Sequence, residues 1–256
     1  MITPTLYTNI GITNEFGSFE KPVSIFVERY DSEELMKNDI NILIEGCEPP
    51  ELSGGWFNPN DIVNNYSKFS LILASNPVIL KNCPNSYRFP FGGRMVESLT
   101  TYPKLDKVTF LSGYKNYLAG HRLRHNILGK QSELLCNLDL EFYLSISRKH
   151  DVLKDAKFSI IVENSQNVNY FTEKIVDCML SKTIPIYWGC PNINDFFDMR
   201  GILQFNQVDE LSNILKNLNA SYYDDNIESV NENFIRSMNY NDFYSRVSNI
   251  IRTYLL

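Results

Sequence analysis

Two polar stretches, Glu163-Asn164-Ser165 and Tyr170-Phe171-Thr172-Glu173-Lys174, carry the chemistry most readily read from this chain. Thr172 suits the position before a helix, where its hydroxyl accepts one of the first unpaired amides. Such a helix end carries roughly half a positive charge, and Lys174 adds a full one in its first turn. That placement disfavours the helix alone, so an anion such as a diphosphate would resolve it. Glu173 beside it accepts hydrogen bonds from vicinal hydroxyls such as those of a ribose. Together they point to a nucleotide diphosphate. Taken singly, a Glu-Lys pair in a first turn is also what an ordinary solvated helix start contains.

The surrounding residues predict how these groups are positioned. Phe158 to Val162 is a short β-rich run ending at Glu163, and Ile175, Val176, Met179 and Leu180 share one helical face. Thr183 to Trp188 is a second β-rich run, stopped by Gly189 and Pro191. Strand, loop, helix and strand at these lengths predict a βαβ unit with parallel strands. Ligands of such sheets sit beyond the carboxyl ends of the strands, where Glu163-Asn164-Ser165, Tyr170 to Lys174 and Trp188 to Asn192 converge.

The string from Lys157 to Phe197 resembles the donor-binding motif of the α-1,3/1,4-fucosyltransferases, glycosyltransferase family 10. That pattern runs F-E-N-S/T, then Y-V/F-T-E-K, then V/I-P-V/I-Y-W-G. The chain supplies Val162-Glu163-Asn164-Ser165, Tyr170-Phe171-Thr172-Glu173-Lys174 and Ile184-Pro185-Ile186-Tyr187-Trp188-Gly189 in the same order. The resemblance implies an α/β, GT-B-like fold with two Rossmann-like domains facing across a cleft, the N-terminal one compact. It implies residues 1–104 on the acceptor side and 105–256 holding the nucleotide sugar. The implied reaction moves fucose from GDP-fucose to a carbohydrate hydroxyl with inversion at C1, giving an α-linked product. This reading requires no metal cofactor and leaves room for stimulation by manganese.

Within the resemblance, Glu163, Asn164, Ser165, Tyr170, Thr172, Glu173 and Lys174 form the donor pocket. An arginine at a strand–loop–helix position binds the donor diphosphate in the family, and Arg122 is preferred for this, with Arg124 on another face of the same helix as the alternative. A guanidinium suits the role because its fork of donors matches phosphate oxygens. Glu48 is the candidate catalytic base, in the loop Glu45-Gly46-Cys47-Glu48 after an early strand. The family's usual Gly-Glu-Asn is interrupted by Cys47, so Glu45 and Glu51 stay open beside Glu48. Two further functions also stay open: the same fold using another GDP- or UDP-sugar, and a non-catalytic nucleotide- or sugar-binding relative.

Composition bounds the rest. A net charge of −6 over 256 residues argues against nucleic acid as the partner. No apolar run reaches a membrane span of ~20 residues, and the first residues lack the blocks of a signal peptide. The five cysteines are scattered without CxxC spacing, which predicts free thiols in a reducing, cytoplasmic setting and a bacterial or viral relative of the family. Asp224-Asp225 reads as a solvated loop rather than a metal site, and Trp188 as sheet-edge packing rather than a base-stacking platform.

Along the chain, strands are predicted at 23–27, 40–44, 69–73, 107–112 and 202–205, with 141–146 open between strand and helix. Helices are predicted at 31–37 and 121–128, around Leu211 to Leu218, and from Phe243 onward with Asn241 as cap. Residues 219–233, rich in Asn, Asp, Ser and Tyr, read as a loop.

Overall fold

Among the described residues, strands of two to eight residues build two sheets of five strands each. The computed structural model describes residues 1–8, 14–28, 38–45, 58–144 and 148–255. The predicted helix at 31–37 and the residues Cys47, Glu48 and Glu51 lie outside these. By its internal contacts the chain forms two units: Met1–Phe91 with Val168–Tyr170 and Asp242–Leu256, and Gly92–Asn167 with Phe171–Asn241.

The first unit contains strands β1 (Thr5–Thr8), β2 (Val23–Val27), β3 (Ile40–Ile44), β4 (Leu71–Ala74) and β5 (Ser86–Arg88), paired in that order. All four pairings are parallel. Helices α1 (Pro59–Asn65) and α2 (Pro77–Asn82) each open on an Asn-Pro pair, with Asn58 and Asn76 capping through their side chains. One face of the sheet packs Phe26, Leu43 and Ile72 against Ile62 and Ile79. The other packs Val23, Ile25 and Ile42 against Phe16, Phe19 and, from the far end of the sequence, Phe243, Val247 and Ile251.

The second unit contains β6 (Leu105–Ser112), α3 (Ala119–Gly129), β7 (Asp139–Leu144), α4 (Lys149–Leu153), β8 (Ala156–Val162), α5 (Glu173–Leu180), β9 (Ile184–Trp188), β10 (Leu203–Gln204), α6 (Val208–Asn217), α7 (Ser221–Asp225) and α8 (Ile227–Met238). Strand order is β10-β9-β8-β6-β7, again all parallel. Every residue of β8 is buried, as expected of a central strand covered on both faces. Its one interior hydroxyl, Ser159, exchanges hydrogen bonds with Thr109 of β6 at 3.0 and 3.1 Å.

The division expected at 104/105 falls instead at 91/92. Residues 92–104 are tied to the second unit because Gly93 N donates to the Tyr240 carbonyl (2.8 Å) and Met95 and Val96 donate to Asp177. Lys104 adds bonds from its ammonium to the carbonyls of Leu153, Lys154 and Ser181. At the other end, α9 (Phe243–Leu255) belongs to the first unit, where its apolar face closes the core.

Most of residues 219–233, expected as a loop, lie in helices α7 and α8. Ser229 and Asn233 of α8 are buried yet polar, and both bond Asp198: Asn233 Oδ1 accepts from its backbone N–H at 2.7 Å, and Ser229 donates to its carboxylate at 3.1 Å. A polar but fully bonded inner face hides the apolar period. The cap of α9 is Asp242, whose carboxylate accepts the Ser245 amide at 3.0 Å, and not Asn241.

Candidate functional site

The carboxyl ends of β8 and β9 hold the site. Where β8 ends, Glu163 turns its carboxylate inward. It accepts the Thr172 amide on Oε1 (3.0 Å) and the Thr172 hydroxyl on Oε2 (2.7 Å), and Lys174 Nζ stands 3.5 Å away. Thr172 in turn caps α5, its Oγ1 accepting from the Lys174 amide at 3.4 Å and from Lys174 Nζ at 3.0 Å. Gly189 permits this packing, since a Cβ there would overlap the Tyr187 hydroxyl and crowd Glu163 Cγ. Glu163 is fully buried, so of the expected donor-contacting residues it stands behind the site and sets the helix end in place.

Helix α3 arrives at the same edge. Gly120 N donates to the Asn164 carbonyl at 2.9 Å, and a Cβ at Gly120 would overlap the Glu163 carbonyl oxygen, so only glycine lets α3 approach this closely. From the next turn Arg124 donates to the Val162 carbonyl and to Asn164 Oδ1, both at 2.8 Å. Arg122 is exposed and donates to the Tyr117 carbonyl at 2.9 Å. Of the two arginines, Arg124, the alternative, is the one that reaches the end of β8. Gly120, Arg124 and Ile127 fall on the inward face of the helix at i, i+4 and i+7, and residue 122 points elsewhere.

Arg124, Lys149, Lys174 and Asp177 line one pocket, walled by Leu111, Val152 and Ile161. Lys149 opens α4, and its ammonium sits 3.1 Å from Glu173 Oε1 and 3.2 Å from Asp177 Oδ2. Lys174 reaches the same Oε1 of Glu173 at 3.3 Å. Burial opposes ionisation of Glu173, but Lys174 and Lys149 outweigh it and hold the carboxyl down at about 2. The buried His121 reports the local field. Burial first, then Arg124, Lys115, Lys174 and His125, push its pKa down to about 4. Its Nδ1 accepts the Leu118 amide at 3.4 Å.

A positive field at two helix ends, with Arg124 and Lys174 beside them, accommodates an anion. The structure therefore brings together Asn164, Thr172, Glu173 and Lys174 of the expected set, adds Arg124, and keeps Ser165 nearby as an acceptor for Asn167 Nδ2 at 3.1 Å. Tyr170 is buried and groups with the first unit. Glu48 lies outside the described residues; Glu45 is described at the end of β3, buried, with Oε2 accepting the Ser75 and Asn76 amides at 2.5 and 2.7 Å. Lys149 escaped the sequence reading because Arg148-Lys149-His150-Asp151 looks like any charged turn. Trp188 packs in the core and donates to the Asn206 carbonyl at 3.2 Å, as expected of a packing residue. Asp224 lies on α7 and pairs with Lys157 at 3.0 Å.

Among known proteins, the alpha-(1,3)-fucosyltransferase FucT of Helicobacter pylori is 35% identical over 79 residues, 30% of this chain and only 16% of that protein's length. A crystal structure of an alpha1,3-fucosyltransferase superposes with a TM-score of 0.53 at 15% identity, covering 86% of each chain. One with GDP-fucose gives 0.52 at 16% identity over 86% of this chain and 71% of that one. At such identity the likeness speaks for the fold, and it agrees with the GT-B-like α/β architecture of two parallel sheets. No helix among the described residues is long and apolar enough to cross a membrane. The model "Glycosyltransferase family 10 (fucosyltransferase) C-term" matches residues 113–226, the stretch that contains α3, α4, α5 and most of the residues lining the pocket.

Proposed function

We propose that the chain transfers fucose from GDP-fucose to a carbohydrate hydroxyl with inversion at C1. The observation that carries this reading is the cationic edge formed by Arg124, Lys174 and the Thr172-capped start of α5, in a segment of fucosyltransferase family. In the reaction the acceptor oxygen attacks C1 while the bond from C1 to the β-phosphate oxygen breaks. The bonding pair leaves with the phosphate, and the hydroxyl proton passes to a carboxylate base. Glu48 is the proposed base. Arg124, Lys174 and the helix amides stabilise the charge that builds on the leaving diphosphate, each charge-assisted bond contributing about 1.5–3 kcal/mol. Asn164 orients Arg124 through its 2.8 Å bond. Glu173 takes the ribose hydroxyls.

The choice of donor is supported by the solved relative carrying GDP-fucose and by the curated relative's name. The matched stretch is a small part of that relative, so the activity of the whole protein is tested directly. Thermal unfolding is followed with GDP-fucose, GDP-mannose, UDP-glucose and UDP-galactose, then release of GDP in the presence of oligosaccharide acceptors. GDP-fucose is expected to stabilise most and to be consumed. Stabilisation by a UDP-sugar alone overturns the donor, and binding without any turnover overturns the enzyme.

A further inference from the structure

We propose that Lys149 is a positioning residue for Glu173, holding this carboxylate by one oxygen so that it stays turned to the ribose of the donor when Lys174 serves the phosphates; the inference rests on the donor reading above. The argument starts from a conflict. Glu173 and Lys174 are neighbours, and their 3.3 Å contact ties up an ammonium meant for phosphate. A carboxylate with no other cation in reach would compete with the diphosphate for Lys174.

Lys149 lessens that competition by giving Glu173 a second cation. Its ammonium is fixed from below by Asp177, one turn further along α5 and fully buried. Asp177 cannot swing, because its Oδ1 accepts the amides of Met95 (2.8 Å) and Val96 (3.1 Å). Lys149 Nζ also lies 3.3 Å from Met95 Sδ. Anchored in this way, Lys149 holds Glu173 by Oε1 at 3.1 Å, the same oxygen that Lys174 approaches, so Oε2 lies outside the lysine bridge. When a diphosphate draws Lys174 to itself, Glu173 keeps one cation and stays charged and oriented. Lys174 serves the phosphates and Lys149 serves the ribose acceptor.

The test is the preference of the full chain for GDP over 2′,3′-dideoxy-GDP, measured by calorimetry. The unaltered protein is expected to prefer GDP by at least about tenfold, the effect of one charge-assisted bond to the ribose. Both Glu173→Gln and Lys149→Met should reduce the preference below about threefold, while Lys149→Arg, which keeps the charge, retains it. A change in folding alone would weaken both nucleotides equally and leave the ratio intact. Should Lys149→Met not fold, Lys149→Gln is read in its place. A full preference in the methionine or glutamine variant overturns the role of Lys149, as does its loss in the arginine variant. No preference in the unaltered protein, with Glu173→Gln also silent, instead removes Glu173 from the ribose and takes this inference with it.

Discussion

Replacing Arg124 by methionine tests the site where structure and sequence reading part. Methionine fills much of the volume while removing the charge and the bonds to the Val162 carbonyl and Asn164 Oδ1. Hydrogen bonds to charged groups contribute about 1.5–3 kcal/mol, so the fold should lose stability of that order and remain assembled. The same range applies to a lost contact with the diphosphate, at least about 1.5 kcal/mol or roughly tenfold in GDP affinity. Arg122→Ala is the matched control. Its exposed guanidinium bonds only the Tyr117 carbonyl in the described structure, and solvent screens its field, so less than about threefold is expected. Titration calorimetry with GDP, at a temperature where both variants are folded, separates the two. The reasoning is refuted if Arg124→Met binds GDP as the parent does, or if Arg122→Ala is the variant that loses it.

Lys174→Ala should weaken GDP binding by at least about tenfold and also lower the unfolding temperature, because it strips a cation from the buried Glu163; unchanged GDP affinity by calorimetry defeats the assignment. Glu48→Gln should cut kcat by at least about a hundredfold at unchanged GDP affinity, with Glu45→Gln costing under about tenfold; inactivity of Glu45→Gln instead moves the base to the strand end. Glu45 gives a pH signature as well. Burial raises its pKa from 4.5 to about 6 against the opposing amides of Asn76 and Ser75. The folded state thus binds the extra proton, and stability is highest below pH 4.5 and falls by about 2 kcal/mol as pH rises through about 6, for this group alone. Denaturant titrations of parent and Glu45→Gln should show that slope in the parent only. On the proposed reading cationic side chains face the leaving group, so transfer activity is expected to persist in excess chelator; total loss restored by manganese would contradict this.

Much of the second unit was legible because its signals are local. The run from Phe158 to Val162, the Thr172 cap and the stop at Gly189 each announce themselves within a few residues, and the βαβ unit follows. What escaped depends on partners far along the chain. Arg124 differs from Arg122 only by which helix face meets the sheet, and that face is set by Gly120 against Glu163, more than forty positions away. The buried role of Glu163 could not be read either, because Glu-Asn-Ser after a strand looks equally like a loop facing ligand. Helix α8 hid behind Ser229 and Asn233, whose polarity is answered by Asp198 in a distant turn. The boundary at 91/92 was set by the bonds from 93–96 to Tyr240 and Asp177, which no composition shift marks.

The split membership of the first unit bears on how the chain is made. Its core joins Phe16 and Phe19 to Phe243, Val247 and Ile251, and Ser248 donates to the Phe16 carbonyl across 232 positions of sequence. The second unit draws almost entirely on residues between 92 and 241. During vectorial synthesis the later sheet therefore has all its parts while the earlier one still lacks a wall. Closing so long a loop is slow, and a nascent sheet with one uncovered apolar face is open to association in the interval. On this layout the strands of the first unit wait for α9, at the far end of the sequence, before their second apolar face is covered.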